Sequence, residues 1–428
     1  MLPQLRELEQ RFGDAIAVVG VHSGKYTAER LTEHIRDASI RLDATHPVLN
    51  DRQFRVWRAY AVRAWPTLVA VDPRGAVVGM HAGEFTADGV ASFVERVLKE
   101  ARASGALREE SMHLVPDAPT VPPERLAFPG KVAVHGNRIA IADSAHHRVL
   151  MGHLEDHGRR MRVERVVGTG APALVDGDAP AFRYPQGLAF GDDALYVADT
   201  GNHAVRTISL ATGAVRTLAG NGGQLRSARD RAAGALSSPW DLALAGDSLH
   251  IAMAGVHQLW TLDLRSGVAS PFAGSGAEEL HDGPHGGAAF AQPMGLALAG
   301  DALLSADAES SAIREIDLSA SGAVRTIVGT GLFDFGHVDD VGDRARLQHP
   351  QGLAVASDGR VLVCDSYNDS LRWLDRTERR VSTWVRGLHE PGGIALAPSG
   401  VYVADTNAHR ICVIDVDSAE IHPLVIVE

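Results

Sequence analysis

The sequence contains little cysteine: its 428 residues include two, Cys364 and Cys412. These lie far apart in the chain and form no Cys-x-x-Cys pair, so we expect neither a disulfide framework nor dithiol chemistry from them. Both fall within predicted strands, where a thiol usually serves as a small buried apolar group. The cysteine content therefore predicts a fold that needs no disulfide bonds.

Long apolar runs are also missing. No stretch approaches the ~20 residues with which a helix spans a membrane, and the first residues, MLPQLRELEQRF, lack the apolar core of a signal peptide. The formal charge of −12 disfavours binding to nucleic acid or to anionic membranes, because both need clustered Lys and Arg. These features predict a cytosolic protein.

Aromatic residues make up 5% of the chain, whereas glycine occurs 44 times, which indicates many tight turns and an all-β portion. A chain of this length exceeds one ordinary core, so two folded units are expected. The pattern along the chain places a first domain at residues 1–107, a linker at 108–125 and a second domain at 126–428.

The second domain repeats one module six times, which decides its architecture. Each module begins with a proline, and a second apolar strand ends fourteen or fifteen residues later, five times in aspartate. The prolines are Pro129, Pro185, Pro239, Pro293, Pro350 and Pro391. The strand ends are Asp143, Asp199, Met253, Asp307, Asp365 and Asp405. Two more strands follow in each module, so the repeats predict six four-stranded blades around a channel.

Three segments carry a family resemblance: RIAIADSAHHRVL (138–150), ALYVADTGNHAVRTI (194–208) and GVYVADTNAHRICVI (400–414). They resemble the NHL repeat, which implies an all-β, six-bladed NHL propeller. The third copy departs by losing its aspartate at Met253, and the fourth and fifth lose the histidine at Ser311 and Asp369. The strand pattern survives in these copies, so we expect their blades to fold.

In a four-stranded blade, the loop after the second strand lies on the same face as the connection to the next blade. Its aspartate can accept backbone N–H groups and the arginine that follows can reach a neighbouring blade, so these residues can be structural. The long loops 168–184, 220–238, 274–292 and 329–349 share this face, which makes it the candidate surface for a protein or peptide partner. The candidate residues are Asp143, His147, Arg148, Asp199, His203, Arg206, His257, Asp307, Arg314, Asp365, Arg372, Asp405, His409 and Arg410.

A metal site is a further hypothesis for this face. Converging histidines could hold Zn²⁺, as in the propeller lyases that act on hydroxyglycine peptides, and would make the protein a metal-dependent hydrolase or lyase. However, the four candidate histidines belong to separate repeats, so we expect them to lie too far apart to share one ion. They are His147, His203, His257 and His409. The acidic loops follow no calcium-binding spacing, and no nucleotide fingerprint is present. We therefore expect no metal and no cofactor.

The first domain alternates helices and strands. The sequence predicts a helix in LPQLRELEQRF, a buried strand in AIAVVGVHS (15–23), a hairpin of TLVAVD (67–72) and AVVGMHAG (76–83), and a last helix over residues 88–104. Trp65-Pro66-Thr67 enters the first hairpin strand. This order resembles the thioredoxin-like redoxin fold, which implies an α/β domain in which Pro66 is cis and faces the redox cysteines.

The resemblance is incomplete. In that family a central strand and a Cys-x-x-Cys precede the helix that contains the equivalent of Pro3. In this sequence only Met1 and Leu2 precede Pro3. Either the encoded chain starts at an internal methionine or the domain is degenerate. The leading hypothesis is a cytosolic binding or scaffold protein that is redox-inactive as encoded. The alternative is a thiol–disulfide oxidoreductase whose cysteines lie upstream of Met1.

Overall fold

The computed structural model describes residues 2–107, 114 and 125–428. The chain divides into two compact units, Met1–Val121 and Pro122–Glu428. Most of the predicted linker, 108–125, lies outside the described residues. None of the described helices has both the length and the apolar composition needed to cross a membrane.

Four α-helices are found in the described residues of the first unit. Thr86 caps the last of them, because its Oγ1 accepts the Gly89 N–H at 3.1 Å. The first and last helices pack together around Leu8, Ala87 and Ala91. The helices are α1 (Leu2–Phe12), α2 (Thr32–Arg41), α3 (Arg55–Ala59) and α4 (Ala87–Ala103), with 3-10 turns at Gly13–Ala15 and Ala28–Arg30.

Over residues 2–107, the strands of the first unit form two separate two-stranded sheets. The strands are β1 (Gly20–His22), β2 (Val48–Asn50), β3 (Thr67–Val71) and β4 (Val77–Ala82). The pair β1–β2 is parallel and β3–β4 is antiparallel. These small sheets do not by themselves show a thioredoxin-like fold. The Trp65–Pro66 peptide bond is cis.

The prediction of a buried strand over residues 15–23 is wrong. The strand covers Gly20–His22, and Val19 and Val21 are 52% and 43% exposed. Its parallel partner β2 is equally short, and the described residues supply no ladder on the other edge of β1. An apolar run remains a strand only where a neighbour satisfies its backbone groups, which explains why the strand is short.

The second unit is a propeller, and its first three blades follow the repeats in order. The first blade has β5 (Pro129–His135), β6 (Arg138–Asp143), β7 (Arg148–Glu155) and β8 (Arg160–Val167). The second has β9 (Pro185–Phe190), β10 (Ala194–Asp199), β11 (Ala204–Ser209) and β12 (Val215–Ala219). A short helix, α5 (Ala228–Ala232), precedes the third blade, which has β13 (Pro239–Ala245), β14 (Ser248–Met253), β15 (Gln258–Asp263) and β16 (Val268–Ala273).

The other three blades repeat the pattern, with one short extra strand, β17 (Gly283–Pro284), before the fourth. The fourth has β18 (Pro293–Ala299), β19 (Ala302–Asp307), β20 (Ala312–Asp317) and β21 (Ala323–Val328). The fifth has β22 (Gly352–Val355), β23 (Val361–Asp365), β24 (Ser370–Asp375) and β25 (Arg380–Arg386). The sixth has β26 (Pro391–Ala397), β27 (Gly400–Asp405), β28 (Arg410–Ile414) and β29 (Ile421–Pro423).

The blades close into a ring. The first strands contact one another in the order β5, β9, β13, β18, β22 and β26, and β26 contacts β5. Six apolar cores lie between neighbouring blades, one at each junction. This arrangement confirms the predicted six-bladed propeller, with the first strand of each repeat around the axis.

The end of the chain also ties the ring. The last strand, β30 (Val425–Val427), pairs in parallel with β8 of the first blade, directly after β29 completes the sixth. Because β30 covers the outer edge of the first blade, that edge is not free to pair with another chain. The short strand β17 covers β21 of the fourth blade in the same way.

The first strands lie so close to their neighbours at the axis that four of the six positions two residues after the repeat proline are glycine. These are positions 187, 295, 352 and 393. A Cβ on Gly187 would lie 2.5 Å from Asp241 Cα of the next blade. The other two positions hold Lys131 and Asp241, whose side chains form an ion pair of 3.2 Å. Lys131 also donates to the Gln351 carbonyl at 2.6 Å. This buried pair links the first, third and fifth blades across the axis.

Candidate functional site

We define the loop face as the face that carries the connections between second and third strands and between successive blades. In five of the six blades the second strand ends in an aspartate, and each of these aspartates is fully buried at this face. In five blades its Oδ1 accepts the N–H of the residue two positions before the blade's own proline, at 2.5–2.8 Å. In the third blade Met253 Sδ takes this place, 3.4 Å from the Ser237 nitrogen. The aspartates thus fix the entry of the first strand.

A second contact joins each blade to the next. The residue four positions after the second-strand end has a left-handed backbone, with φ between 49° and 54°. Its side chain accepts the N–H that precedes the next proline, at 2.8–3.2 Å. The pairs are His147–Tyr184, His203–Ser238, His257–Gln292, Ser311–His349, Asp369–Glu390 and His409–Phe128. The last pair closes the ring between the sixth and first blades. We call these six contacts the inter-blade latches.

Four blades add a hydroxyl to their latch. The residue directly after the aspartate donates to the carbonyl of the next blade's proline at 2.6–2.9 Å. The donors are Ser144, Thr200, Ser366 and Thr406. At each of these junctions, side chains of one blade therefore bind two backbone groups of the next blade: the N–H before its proline and the carbonyl of that proline.

The predicted histidines lie at separate junctions. Each of His147, His203, His257 and His409 uses Nδ1 to accept the latch N–H. Within the described part of the chain, no group of three or more His, Cys, Asp or Glu side chains is arranged to hold a metal ion. The geometry gives these histidines a role inside the propeller.

The predicted arginines fall into two groups that differ in position and in burial. Arg148 and Arg410 stand five positions after their aspartates and are partly exposed. Arg206, Arg314 and Arg372 stand seven positions after theirs, and their side chains are 0% exposed. Each buried arginine contacts the aspartate of its own second strand, at 2.6–3.6 Å.

The buried arginines hold the long loops. Arg206 Nη2 contacts Asp176 of loop 168–184 at 2.7 Å, and Asp176 also accepts the Thr217 hydroxyl at 2.9 Å. The same arrangement recurs twice, as Arg314–Asp282–Thr326 and as Arg372–Asp339–Thr383. We call these three sets the loop pins. The threonines were not predicted, although each is the ladder partner of its arginine.

The two carboxylates that each buried arginine contacts differ in their electrostatics. Burial raises the pKa of the second-strand aspartates Asp199, Asp307 and Asp365 to about 6, against the opposing effect of their arginines and hydrogen bonds. At the loop aspartates Asp176, Asp282 and Asp339, burial is outweighed by hydrogen bonds from the threonines and by the charge of the arginines, so the pKa of each lies below its usual value. Both carboxylates at each buried arginine are therefore mainly ionised at neutral pH.

The third blade lacks a pin, as do the first and sixth blades. Its second strand ends in Met253, Trp260 stands where the second, fourth and fifth blades have the buried arginine, and Pro271 replaces the threonine in the ladder. Asp230, the acidic residue of loop 220–238, accepts from Ser227 Oγ at 2.8 Å at the start of α5. This loop is therefore organised by its own helix.

These observations define a class: the chain is a six-bladed β-propeller that contains NHL repeats. The NHL repeat model matches residues 182–208 and 347–374, which lie in the second and fifth blades.

The chain is similar to NHL repeat-containing protein 2 of Gallus gallus, with 36% identity over 475 residues covering 98% of this chain. It is also similar to the chloroplastic protein SUPPRESSOR OF QUENCHING 1 of Arabidopsis thaliana, with 36% identity over 98% of this chain. The chain spans 64% of the length of the first relative and 43% of the second. A shorter match, 28% over 85 residues, joins 20% of this chain to 48% of the thioredoxin-like protein YneN of Bacillus subtilis.

We predict that Arg206→Met lowers the free energy of unfolding of the propeller by about 3–5 kcal/mol, because two carboxylates lose the buried cation between them. Arg148→Met is the matched control. That side chain is 29% exposed, and its buried partner Asp143 keeps the hydrogen bond from the Ala127 N–H, so the loss should be smaller, about 1–2 kcal/mol. Chemical unfolding monitored by tryptophan fluorescence measures both. Equal losses in the two variants would contradict a special role for the buried arginines.

We predict that the latch at His203 weakens in acid. Burial, together with Arg226 and Arg183, lowers the pKa of His203 to about 4. Because the folded pKa lies below the ordinary value near 6.5, the contribution to stability is complete above pH 6.5 and is lost as the pH falls towards 4. Protonation also removes the Nδ1 lone pair that accepts the Ser238 N–H.

His203→Asn supplies the comparison, because Asn tolerates a left-handed backbone and offers an uncharged acceptor. The difference in unfolding free energy between the natural chain and the variant should shift by roughly 3 kcal/mol in favour of Asn between pH 7 and pH 4. Chemical unfolding at both pH values measures it. A difference that does not change with pH would show that His203 is not held neutral in the fold.

Proposed function

We propose that this protein is a binding scaffold that presents the loop face of its propeller to a protein or peptide partner. The observation that carries the proposal is the combination of loops fixed at their bases with apolar side chains exposed in the same loops. Phe333 is 70% exposed and Val338 is 42% exposed, both in loop 329–349, and Val175 of loop 168–184 is 44% exposed.

The loop pins support this function. Val175 directly precedes Asp176, and Val338 directly precedes Asp339, so an apolar side chain stands beside two of the three pinned carboxylates. A loop that is already ordered loses less conformational entropy on binding than a flexible one, and exposed aromatic residues often anchor interfaces. The buried motif residues would then act indirectly, by fixing the loops that meet the partner.

The proposed partner is a protein or peptide, and a cytosolic location remains a prediction from composition. The long loops are mostly acidic: loop 274–292 carries Glu278, Glu279 and Asp282 and neither Lys nor Arg. Such a face repels a nucleic acid backbone over much of its area, which favours a partner with mixed surface charge.

We expect Phe333→Ser to reduce recovery of partner proteins at least fivefold when the tagged chain is purified from cells and its companions are quantified by mass spectrometry. Val268→Ser is the matched control. Val268 is 60% exposed and begins β16, at the end of its blade opposite the loop face. If the amount of co-purified partner protein is unchanged by Phe333→Ser, or falls equally with Val268→Ser, the loop face is not the docking surface.

A second candidate, a thiol–disulfide oxidoreductase in a longer form of the chain, is favoured by the first unit. Trp65 Nε1 donates to the Ser23 carbonyl at 2.8 Å, which holds the end of β1 beside the start of β3. Nevertheless β1 and β3 share no ladder among the described residues, and Val21 and Val71 are 43% and 46% exposed. A strand bearing Cys-x-x-Cys between β1 and β3 would complete one sheet and place thiols near Trp65. The YneN similarity also supports this candidate.

The cysteines of the present chain do not suit redox chemistry. Burial raises the pKa of both Cys364 and Cys412 to about 12, so neither forms the thiolate that attacks a disulfide. We predict that residues 1–428 do not accelerate insulin reduction by dithiothreitol, whereas an extended form with Cys-x-x-Cys does. Acceleration by residues 1–428 that survives Cys364→Ser with Cys412→Ser would contradict the first statement. An inert extended form would eliminate the oxidoreductase.

A further inference from the structure

One loop of the loop face has the opposite charge to the rest of the protein. Loop 220–238 contains three arginines, Arg226, Arg229 and Arg231, and a single acidic residue, Asp230. The loops 168–184, 274–292 and 329–349 each contain more acidic than basic residues, and the whole chain carries −12. The third blade therefore places a positive region on an otherwise acidic face.

The third blade has no loop pin, so no buried arginine draws a carboxylate of its loop inward. In the pinned blades, a loop carboxylate faces a buried arginine, whereas here Trp260 occupies the arginine position. Asp230 is instead held by the Ser227 hydroxyl and by the Arg226 N–H at 3.0 Å, contacts that keep its pKa below the usual value. The single carboxylate of the loop is therefore engaged within the loop.

The arginine side chains themselves remain exposed. The Arg226 guanidinium donates to Gln224 Oε1, a neutral acceptor, at 2.7 Å, and that of Arg231 lies 5.5 Å from the Trp260 ring centroid. None of these three guanidinium groups has a carboxylate within 4.0 Å in the described part of the chain. Their charges are thus available to an anionic group from outside.

A fourth arginine belongs to the same region. Arg183, at the end of loop 168–184, is exposed, and its side chain lies over Gly201, two residues before His203. Both Arg183 and Arg226 lower the pKa of His203, so the two charges act on one point from the second and third blades. Positive potential therefore converges above the junction between these blades.

We propose that this basic region, Arg183, Arg226, Arg229 and Arg231, binds a short acidic peptide segment rich in Asp or Glu. Arginine forks pair with carboxylates in two-point contacts. The acidic residues of the neighbouring loops limit how long a polyanion can lie there, which favours a short acidic segment of a protein over a nucleic acid strand. This inference rests on the proposed binding function of the loop face and specifies the chemistry of the partner.

The test uses a fluorescein-labelled octaglutamate peptide and fluorescence anisotropy with the full chain. We expect saturable binding that weakens as salt rises, an affinity at least tenfold lower in Arg226→Glu with Arg229→Glu, and binding retained in Arg226→Lys with Arg229→Lys. The control is Arg138→Glu with Arg216→Glu, which changes the net charge by the same amount. Both positions are exposed and lie at the starts of β6 and β12, the ends of these strands that are away from the loop face.

Two outcomes would overturn the inference: equal loss of octaglutamate binding in both charge-reversed proteins, or tighter binding of an eight-nucleotide deoxythymidine strand than of the peptide. Failure here is distinct from failure of the proposed function. If Phe333→Ser abolishes partner recovery while Arg226→Glu with Arg229→Glu does not, the loop face binds a partner by other contacts and the acidic-segment inference alone is wrong.

Discussion

The propeller depends on one recurring interaction, the hydrogen bond that the N–H before each blade's proline donates to the side chain of a left-handed residue in the preceding blade. Proline has no N–H of its own, so the amide directly before it is the last donor available at the start of the strand. Satisfying that donor with a side chain of the preceding blade fixes the spacing between blades. The same contact between His409 and Phe128 closes the ring, so closure needs no separate device at this face.

Function follows from what the latches and pins leave exposed. Asp199 and Arg206, which define the repeat most clearly in sequence, are completely buried and used within the propeller. The variable loops carry the exposed apolar and charged side chains, and three of the four are tied to the buried arginines. The repeat therefore forms a rigid base, and differences between the loops of the blades determine which apolar and charged side chains the loop face exposes. The third blade is the clearest example, because it has no pin and the three arginines of its loop are exposed.

The sequence was sufficient to predict the six blades, their order and the strands around the axis, since the prolines and strand ends recur at a nearly fixed spacing. It was not sufficient to predict the latches, because His203, Ser311 and Asp369 share only a side-chain acceptor and act across blades. The two arginine positions, five and seven residues after the aspartate, are visible in the sequence, but the spacing alone does not show that only the second position is buried. The strand predicted at residues 15–23 failed because apolar composition alone does not supply a ladder partner.

The most direct test of the latches is amide hydrogen exchange with residue resolution at pH 7. The six N–H groups before the repeat prolines, at Phe128, Tyr184, Ser238, Gln292, His349 and Glu390, should exchange as slowly as the amides of the second and third strands. They should do so although none belongs to a strand ladder. Exchange at the rate of exposed loop amides at most of these six positions would show that the blades are held together by their apolar cores and not by the latches.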